Sequence, residues 1–273
     1  PCGRVRAGID AARPDPPAWE RARPLAERFD AAVFPLASFA PPGLEGVREI
    51  HPAIDPLGPR CRDLPLKLAG DSLRMLGLDL ERPLCCQVGA LDPWRDPHDT
   101  IDAFRLAKEE EPSLQLVLAG APAAGDDEGW RVAGEVAAYA AGTPDLHVLT
   151  GYAGVGETEL NALQRLSRAA LARSVREDFA ISASEALWKG TPVVAAPDGG
   201  LPEQVADGVT GLIAHTAEDT ARALVELVRD PALSIVLGSA GRERVRERFL
   251  VTRLVADELE LMGSLLRATV RRP

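Results

Sequence analysis

Two glutamates, Glu177 and Glu185, lie eight positions apart in a stretch whose residue types suit a ligand site. A carboxylate offers two acceptor oxygens, so each glutamate can accept hydrogen bonds from the hydroxyl groups of a sugar or a ribose. The pattern places Glu177 in a loop and Glu185 inside a short helix predicted over 181–189. The structural alternatives are a surface charge at a helix start for Glu177 and an exposed side chain paired to Lys189 for Glu185.

The start of that helix also offers donors for a phosphate. The backbone N–H groups of Ala180, Ile181 and Ser182 have no partner within a helix that begins here, and such groups bind anions. Arg95 follows Asp92-Pro93-Trp94; its planar guanidinium can bind phosphate, but a lone arginine in a loop does not by itself indicate a site. Trp94 and Trp188 are expected to be packing residues.

Strand and helix patterns alternate along most of the chain, which predicts the α/β class with a doubly wound, parallel, Rossmann-like sheet. Strands are predicted at 84–88, 114–119, 146–149, 169–172, 192–195 and 211–214. Helices are predicted at 64–76, 99–110, 130–141, 157–168, 217–228, 231–248 and 252–266. The acidic run 126–128 is expected to be a solvated loop.

Composition narrows the class of protein. The chain has 273 residues and a net charge of −10, which argues against nucleic acid as a general partner. Neither an apolar run long enough to span a bilayer nor a signal peptide is evident. The four cysteines form no C-x-x-C pair, and Cys85 and Cys86 are expected to be buried thiols. A reducing cytoplasm is the expected location.

The stretch 174–211 resembles the donor-binding motif of retaining GT-B glycosyltransferases. That motif reads E-G-F-G-x-x-x-x-E-A-x-x-x-G-x-P-V, and here residues 177–193 read EDFAISASEALWKGTPV. Among these enzymes the sequence is most similar to the trehalose glycosyltransferring synthases. The shared runs are EALWKG at 185–190, DPW at 92–94 and PAIDPL at 52–57.

The resemblance implies transfer of glucose from a UDP- or ADP-glucose donor to a sugar acceptor, with retention, and with glucose as an acceptor that would give trehalose. It implies that Glu177 is the catalytic residue at the donor sugar and that Glu185 binds the ribose. Arg95 would bind the diphosphate, and Phe179, Ala180 and Ile181 would complete the donor site. Neither a metal nor another cofactor is implied. The expected protein partner is a second copy or a chain supplying an N-terminal domain.

The resemblance also implies a division of the chain. Residues 1–58 correspond to the end of an N-terminal, acceptor-side domain, with a helix at 17–28 and strands at 32–36 and 47–50. Residues 59–250 correspond to the nucleotide-sugar-binding domain, and residues 251–273 to a helix that crosses back. Most of an acceptor domain is expected to be missing from the chain.

Several positions depart from the family pattern, and they support a second hypothesis. Ala90 and Gly8 stand where relatives have an arginine and a histidine, and Asp178 and Ala180 stand where they have glycines. The alternative is therefore an impaired or shortened nucleotide-sugar-binding module. A dehydrogenase is disfavoured, because the glycines at 151–156 do not have the G-x-G-x-x-G spacing.

Overall fold

The computed structural model describes residues 16–120, 122, 126–150, 155–175 and 179–270, with side chains as far as residue 267. The helices in these ranges are α1 (Pro16–Ala26), α2 (Leu66–Met75), α3 (Pro97–Glu110), α4 (Asp127–Ala140), α5 (Glu157–Leu166), α6 (Ile181–Trp188), α7 (Leu201–Gln204), α8 (Ala217–Arg229), α9 (Pro231–Arg248) and α10 (Val251–Val270). The strands are β1 (Ala32–Phe34), β2 (Val47–Glu49), β3 (Leu84–Val88), β4 (Gln115–Ala119), β5 (Leu146–Leu149), β6 (Ala169–Ala172), β7 (Val193–Ala195) and β8 (Gly211–Ile213).

Six parallel strands form the main sheet in the order β5-β4-β3-β6-β7-β8. The chain enters at β3, moves outward through β4 and β5, and then returns to the other side of β3 with β6. Register pairs such as Cys85↔Ala169 and Cys86↔Ala170 join β3 directly to β6. This topology confirms the predicted doubly wound α/β sheet, and its reversal between β3 and β6 is where such sheets bind ligands.

Helices cover both faces of the sheet, so its central strands are almost wholly apolar. Alternate residues of a strand enter different core clusters: Cys86 packs on the side of α2, α5 and α6, and Cys85 on the side of α3, α4 and α8. Both thiols are buried, as predicted, and burial raises the pKa of Cys85 to about 12 and that of Cys86 to about 11.

The first described segment contributes its own small sheet, in which β1 and β2 pair in parallel. Its end is joined to the C-terminal helices by backbone hydrogen bonds. Ile54 N donates to Phe249 O at 2.8 Å, and Val251 N donates to Ile54 O at 3.0 Å. Arg253 also donates to the carbonyl groups of His51 and Pro52. Residues far apart in sequence therefore meet beside the start of α10.

The acidic run 126–128 is not a loop, so that expectation was wrong. Asp126 caps α4, and its side chain accepts a hydrogen bond from Gly129 N at 2.9 Å. Asp127 and Glu128 then form the first turn, where negative charge is favourable against the helix dipole.

Among the helices of the described ranges, none is long and apolar enough to cross a membrane.

The helix α9 closely approaches the end of α6. A substitution at this contact tests whether the packing of α9 stabilises the motif helix α6. A Cβ atom at Gly238, which is buried in α9, would lie 1.9 Å from the carbonyl oxygen of Gly190. We therefore expect Gly238→Ala to lower the free energy of unfolding by about 1–3 kcal/mol, despite the better helix propensity of alanine. Urea unfolding measures the change.

Gly134→Ala is the matched control. Gly134 also lies inside a helix, but a Cβ atom there would meet nothing within 4 Å. This variant should gain about 0.5–1 kcal/mol from helix propensity. A Gly238→Ala protein as stable as the Gly134→Ala protein would contradict the packing of α9 on α6.

Candidate functional site

A narrow cleft opens at the carboxyl ends of β3 and β6, where the strand order reverses. Its walls come from the ends of these strands, from the turn after β3 and from the start of α6. The lining residues are Gln87, Val88, Arg95, Leu171, Ala172, Arg173, Ser174, Ala180 and Ser182. The fold thus brings Arg95 and Ala180, predicted separately from sequence, to the same cleft.

The turn that carries Arg95 is fixed by side chains. Asp92 Oδ1 accepts hydrogen bonds from Trp94 N at 3.0 Å and Arg95 N at 3.1 Å. Gln87 Nε2 donates to Arg95 O at 2.8 Å, and Thr100 Oγ1 donates to Gln87 Oε1 at 2.6 Å. The DPW run therefore builds a rigid turn, which holds the Arg95 backbone at the end of β3.

Gly89 lets the Arg95 side chain lie close to the strand end. A Cβ atom at Gly89 would be 3.0 Å from Arg95 Nη1 and 3.1 Å from Arg95 Cδ. Arg95 also pairs with Asp92, with Nε 3.6 Å from Oδ2. The guanidinium is thus placed over the backbone at the carboxyl edge of the sheet.

The two tryptophans differ in their environments. Trp188 is partly buried against the core, and the Arg242 guanidinium lies 5.1 Å from its ring centroid. Trp94 is 50% exposed, so its assignment as a packing residue was wrong. Its carbonyl oxygen accepts a hydrogen bond from Val175 N at 2.9 Å and so joins the loops after β3 and β6.

The motif loop before α6 is described only from Phe179 onward, and Glu177 lies outside the described residues, as does Asp178. Ala180 caps the helix with φ 54° and ψ 61°, a left-handed conformation that favours glycine over alanine. A hydrogen bond from Ala183 N to Ala180 O at 2.9 Å closes the first turn. The N–H groups of Ile181 and Ser182 stand ahead of this bond at the helix start.

The side chains of Phe179 and Ile181 pack inward. Phe179 is buried, with its ring centroid 5.3 Å from that of His51 and 5.5 Å from that of Phe249. Ile181 is partly buried against the core cluster that contains α6. What these two residues can offer a ligand in this arrangement is therefore their backbone.

Glu185 is 6% exposed and is bound by Arg60. Arg60 Nη2 and Nε both donate to Glu185 Oε2, at 2.7 and 3.1 Å. The interpretation of Glu185 as an exposed residue paired to Lys189 was wrong, because Lys189 Nζ instead donates to Gln164 Oε1 and to the carbonyl oxygen of Glu185. Glu185 is not a lining residue of the cleft and lies one turn along α6 from Ile181.

Sequence reasoning missed two arginines at this edge. Arg60 lies 125 positions from Glu185, and no local pattern connects them. Arg173 lines the cleft and donates to Asp99 Oδ2 at 2.6 Å and to the carbonyl oxygen of Ala214. Its position directly after the strand β6 was the available signal. Within the described ranges, no group of three or more His, Cys, Asp or Glu residues could hold a metal ion.

Among the titratable groups near Glu185, Lys189 has the most strongly shifted pKa. Burial lowers the pKa of its ammonium group to about 8, against an ordinary value of 10.5. Between these values the unfolded chain binds more protons than the folded protein, so this lysine makes stability rise with pH.

We therefore predict that wild type gains about 2–3 kcal/mol of unfolding free energy relative to Lys189→Met between about pH 7 and about pH 10. Urea unfolding of both proteins across this range measures the gain. Lys67→Met removes an exposed lysine from α2 and is the control. The same pH dependence in both variants would show that the burial of Lys189 is not its cause.

Residues 72–244 match the family described as glycosyl transferases group 1. The trehalose synthase of Rubrobacter xylanophilus is 39% identical over 263 residues, covering 96% of this chain and 63% of the relative. The trehalose synthase of Pyrococcus horikoshii is 34% identical over 262 residues, covering 95% and 63%. The chain thus spans about three fifths of the length of these relatives.

Solved structures agree with the fold. Sucrose-phosphate synthase from Thermosynechococcus elongatus superposes with a TM-score of 0.72 at 24% identity, covering 96% of this chain and 65% of that one. Anabaena HepE, in complex with UDP-glucose, gives a TM-score of 0.77 at 20% identity, covering 91% and 68%. The sheet and its helices are those of the C-terminal domain of GT-B glycosyltransferases. The chain belongs to the glycosyl transferases group 1 family.

Proposed function

We propose that the chain binds a nucleotide-diphosphate glucose at the cleft between β3 and β6 and that it serves a retaining glucosyl transfer to a sugar acceptor. The observation that carries the proposal is the meeting of Arg95 with the start of α6 in one cleft at the reversal of the sheet. A guanidinium and backbone N–H groups at a helix start are the donors that a diphosphate requires. Both lie at the edge where α/β sheets bind nucleotides.

The proposed chemistry follows from these positions. The bond between the anomeric carbon of glucose and the diphosphate oxygen breaks, and its electron pair leaves with the diphosphate. Arg95 and the N–H groups of Ala180, Ile181 and Ser182 stabilise the charge that develops on this leaving group. The acceptor hydroxyl forms the new bond on the same face of the sugar and gives its proton to the departing diphosphate oxygen. The donor needs no metal in this scheme.

The two motif glutamates have separate proposed roles. Glu177 accepts hydrogen bonds from the glucose hydroxyls and orients the sugar for transfer. Glu185 accepts hydrogen bonds from the ribose of the nucleotide. Phe179, by packing on His51 and Phe249, fixes the backbone just before α6, between the two glutamates in sequence.

The relatives suggest which donor and acceptor to test first. The HepE structure contains UDP-glucose, which makes UDP-glucose the first donor, and ADP-glucose is the second. The relatives named trehalose synthase make glucose the first acceptor, with trehalose as the product. A transfer assay with these pairs, read by the appearance of a nonreducing disaccharide, tests the whole proposal.

Arg95→Met should weaken binding of the preferred nucleoside diphosphate by at least about tenfold, because hydrogen bonds to a charged group are worth about 1.5–3 kcal/mol. Binding of the corresponding nucleoside, which has no phosphate, should not change. Calorimetric titration with UDP, ADP and GDP, and then with the matching nucleosides, measures both affinities.

Arg229→Met is the matched control. Arg229 ends α8 and pairs with Glu110 and Glu111 at the end of α3, far along that helix from the cleft. This variant should bind nucleotide like wild type. Absence of binding by every nucleoside diphosphate to the folded wild-type protein would overturn the proposed function.

A further inference from the structure

Glu185 carries a negative charge into a nearly closed environment, and such a charge requires a partner. Arg60 supplies it from a segment between β2 and α2. The side chain of Arg60 is 30% exposed and that of Glu185 is 8% exposed, so the pair is largely shielded from water. A pair in this setting is held in one geometry more firmly than an ion pair on an open surface.

The geometry of the pair is asymmetric. Both donors of Arg60 converge on one oxygen, Oε2. The other oxygen, Oε1, accepts no hydrogen bond from the residues that the structure describes. The guanidinium therefore fixes the rotation of the carboxylate and leaves Oε1 as an acceptor for a ligand.

The segment that presents Arg60 is itself held from both sides. Asn161, buried on α5, donates from Nδ2 to the carbonyl oxygens of Pro59 at 2.9 Å and Arg62 at 3.0 Å. Cys61, next to Arg60, is 4% exposed and belongs to the core cluster. The guanidinium is thus delivered by a backbone that is fixed before any ligand binds, which is the arrangement that preorganisation requires.

We propose that Arg60 is a positioning residue that orients the Glu185 carboxylate, so that Oε1 selects the vicinal diol of a ribonucleotide. The inference rests on the proposed function, because it assumes that Glu185 reads the ribose. It adds the residue that fixes the orientation of the Glu185 carboxylate. Arg60 does not touch the ligand in this arrangement and acts through Glu185.

The test compares two ligands that differ in the diol. Calorimetric titration uses the nucleoside diphosphate that binds best and its 2′,3′-dideoxy analogue. Wild type should prefer the ribonucleotide by about tenfold or more. Arg60→Met should lose about tenfold in affinity for the ribonucleotide and nothing for the dideoxy analogue. Arg60→Lys, which keeps the charge, should recover part of the loss.

Two further variants distinguish the loss of the positioning role from a simple loss of structure. Arg62→Met removes an exposed arginine from the same segment and should bind both nucleotides like wild type. In a Glu185→Gln background, Arg60→Met should have little further effect, since the two residues act as a unit. Unfolding by urea confirms that each variant is folded.

The outcomes separate the two proposals. Equal losses for both nucleotides in Arg60→Met, or additive effects of Arg60→Met and Glu185→Gln, would overturn the positioning role and leave the donor site intact. A wild-type protein that binds nucleotide without preferring the diol would overturn the ribose assignment of Glu185, and the inference with it. Failure to bind any nucleotide would overturn the proposed function.

Discussion

The buried carboxylate of Glu185 is the constraint on which the candidate site depends. Burying a carboxylate whose side chain is 8% exposed is costly without a countercharge, and Arg60 provides one across 125 positions of sequence. The pair joins the segment before α2 to the motif helix. Around it, Lys189 binds the carbonyl oxygen of Glu185, and Asn161 holds the segment of Arg60. The ion pair and these hydrogen bonds thus satisfy the polar groups at the edge of the apolar core.

At the carboxyl edge of the sheet, a backbone hydrogen bond also positions the loops. The hydrogen bond from Val175 N to Trp94 O joins the loop after β6 to the turn after β3. Because Arg95 follows Trp94, the position of the cation depends on the same bond. Two loops from the strands that flank the reversal are therefore positioned relative to each other before a ligand enters.

The sequence predicted those parts of the structure that local patterns determine. The strands β3 and β6 were predicted with their observed boundaries, because strands buried on both faces are unbroken apolar runs. Arg95 was assigned to the donor site through the family resemblance of the DPW run, because a lone arginine in a loop carries no local signal. The start of α4 was misjudged because the capping role of Asp126 was not recognised. The partner of Glu185 was beyond prediction, since periodicity relates near neighbours and Arg60 reaches the site only through the tertiary fold.

The backbone hydrogen bonds that join Ile54 to Phe249 and Val251 affect how such a protein can be truncated. A truncated protein beginning at residue 72, where the family match starts, would retain all six strands of the main sheet. It would lack Arg60, the core thiol Cys61 and the backbone bridge at Ile54. The range of the family match and the range that contains the Arg60–Glu185 pair therefore differ. A modular dissection should keep the stretch from His51 to Asp63 with the sheet, although it precedes the first strand of that sheet by many residues.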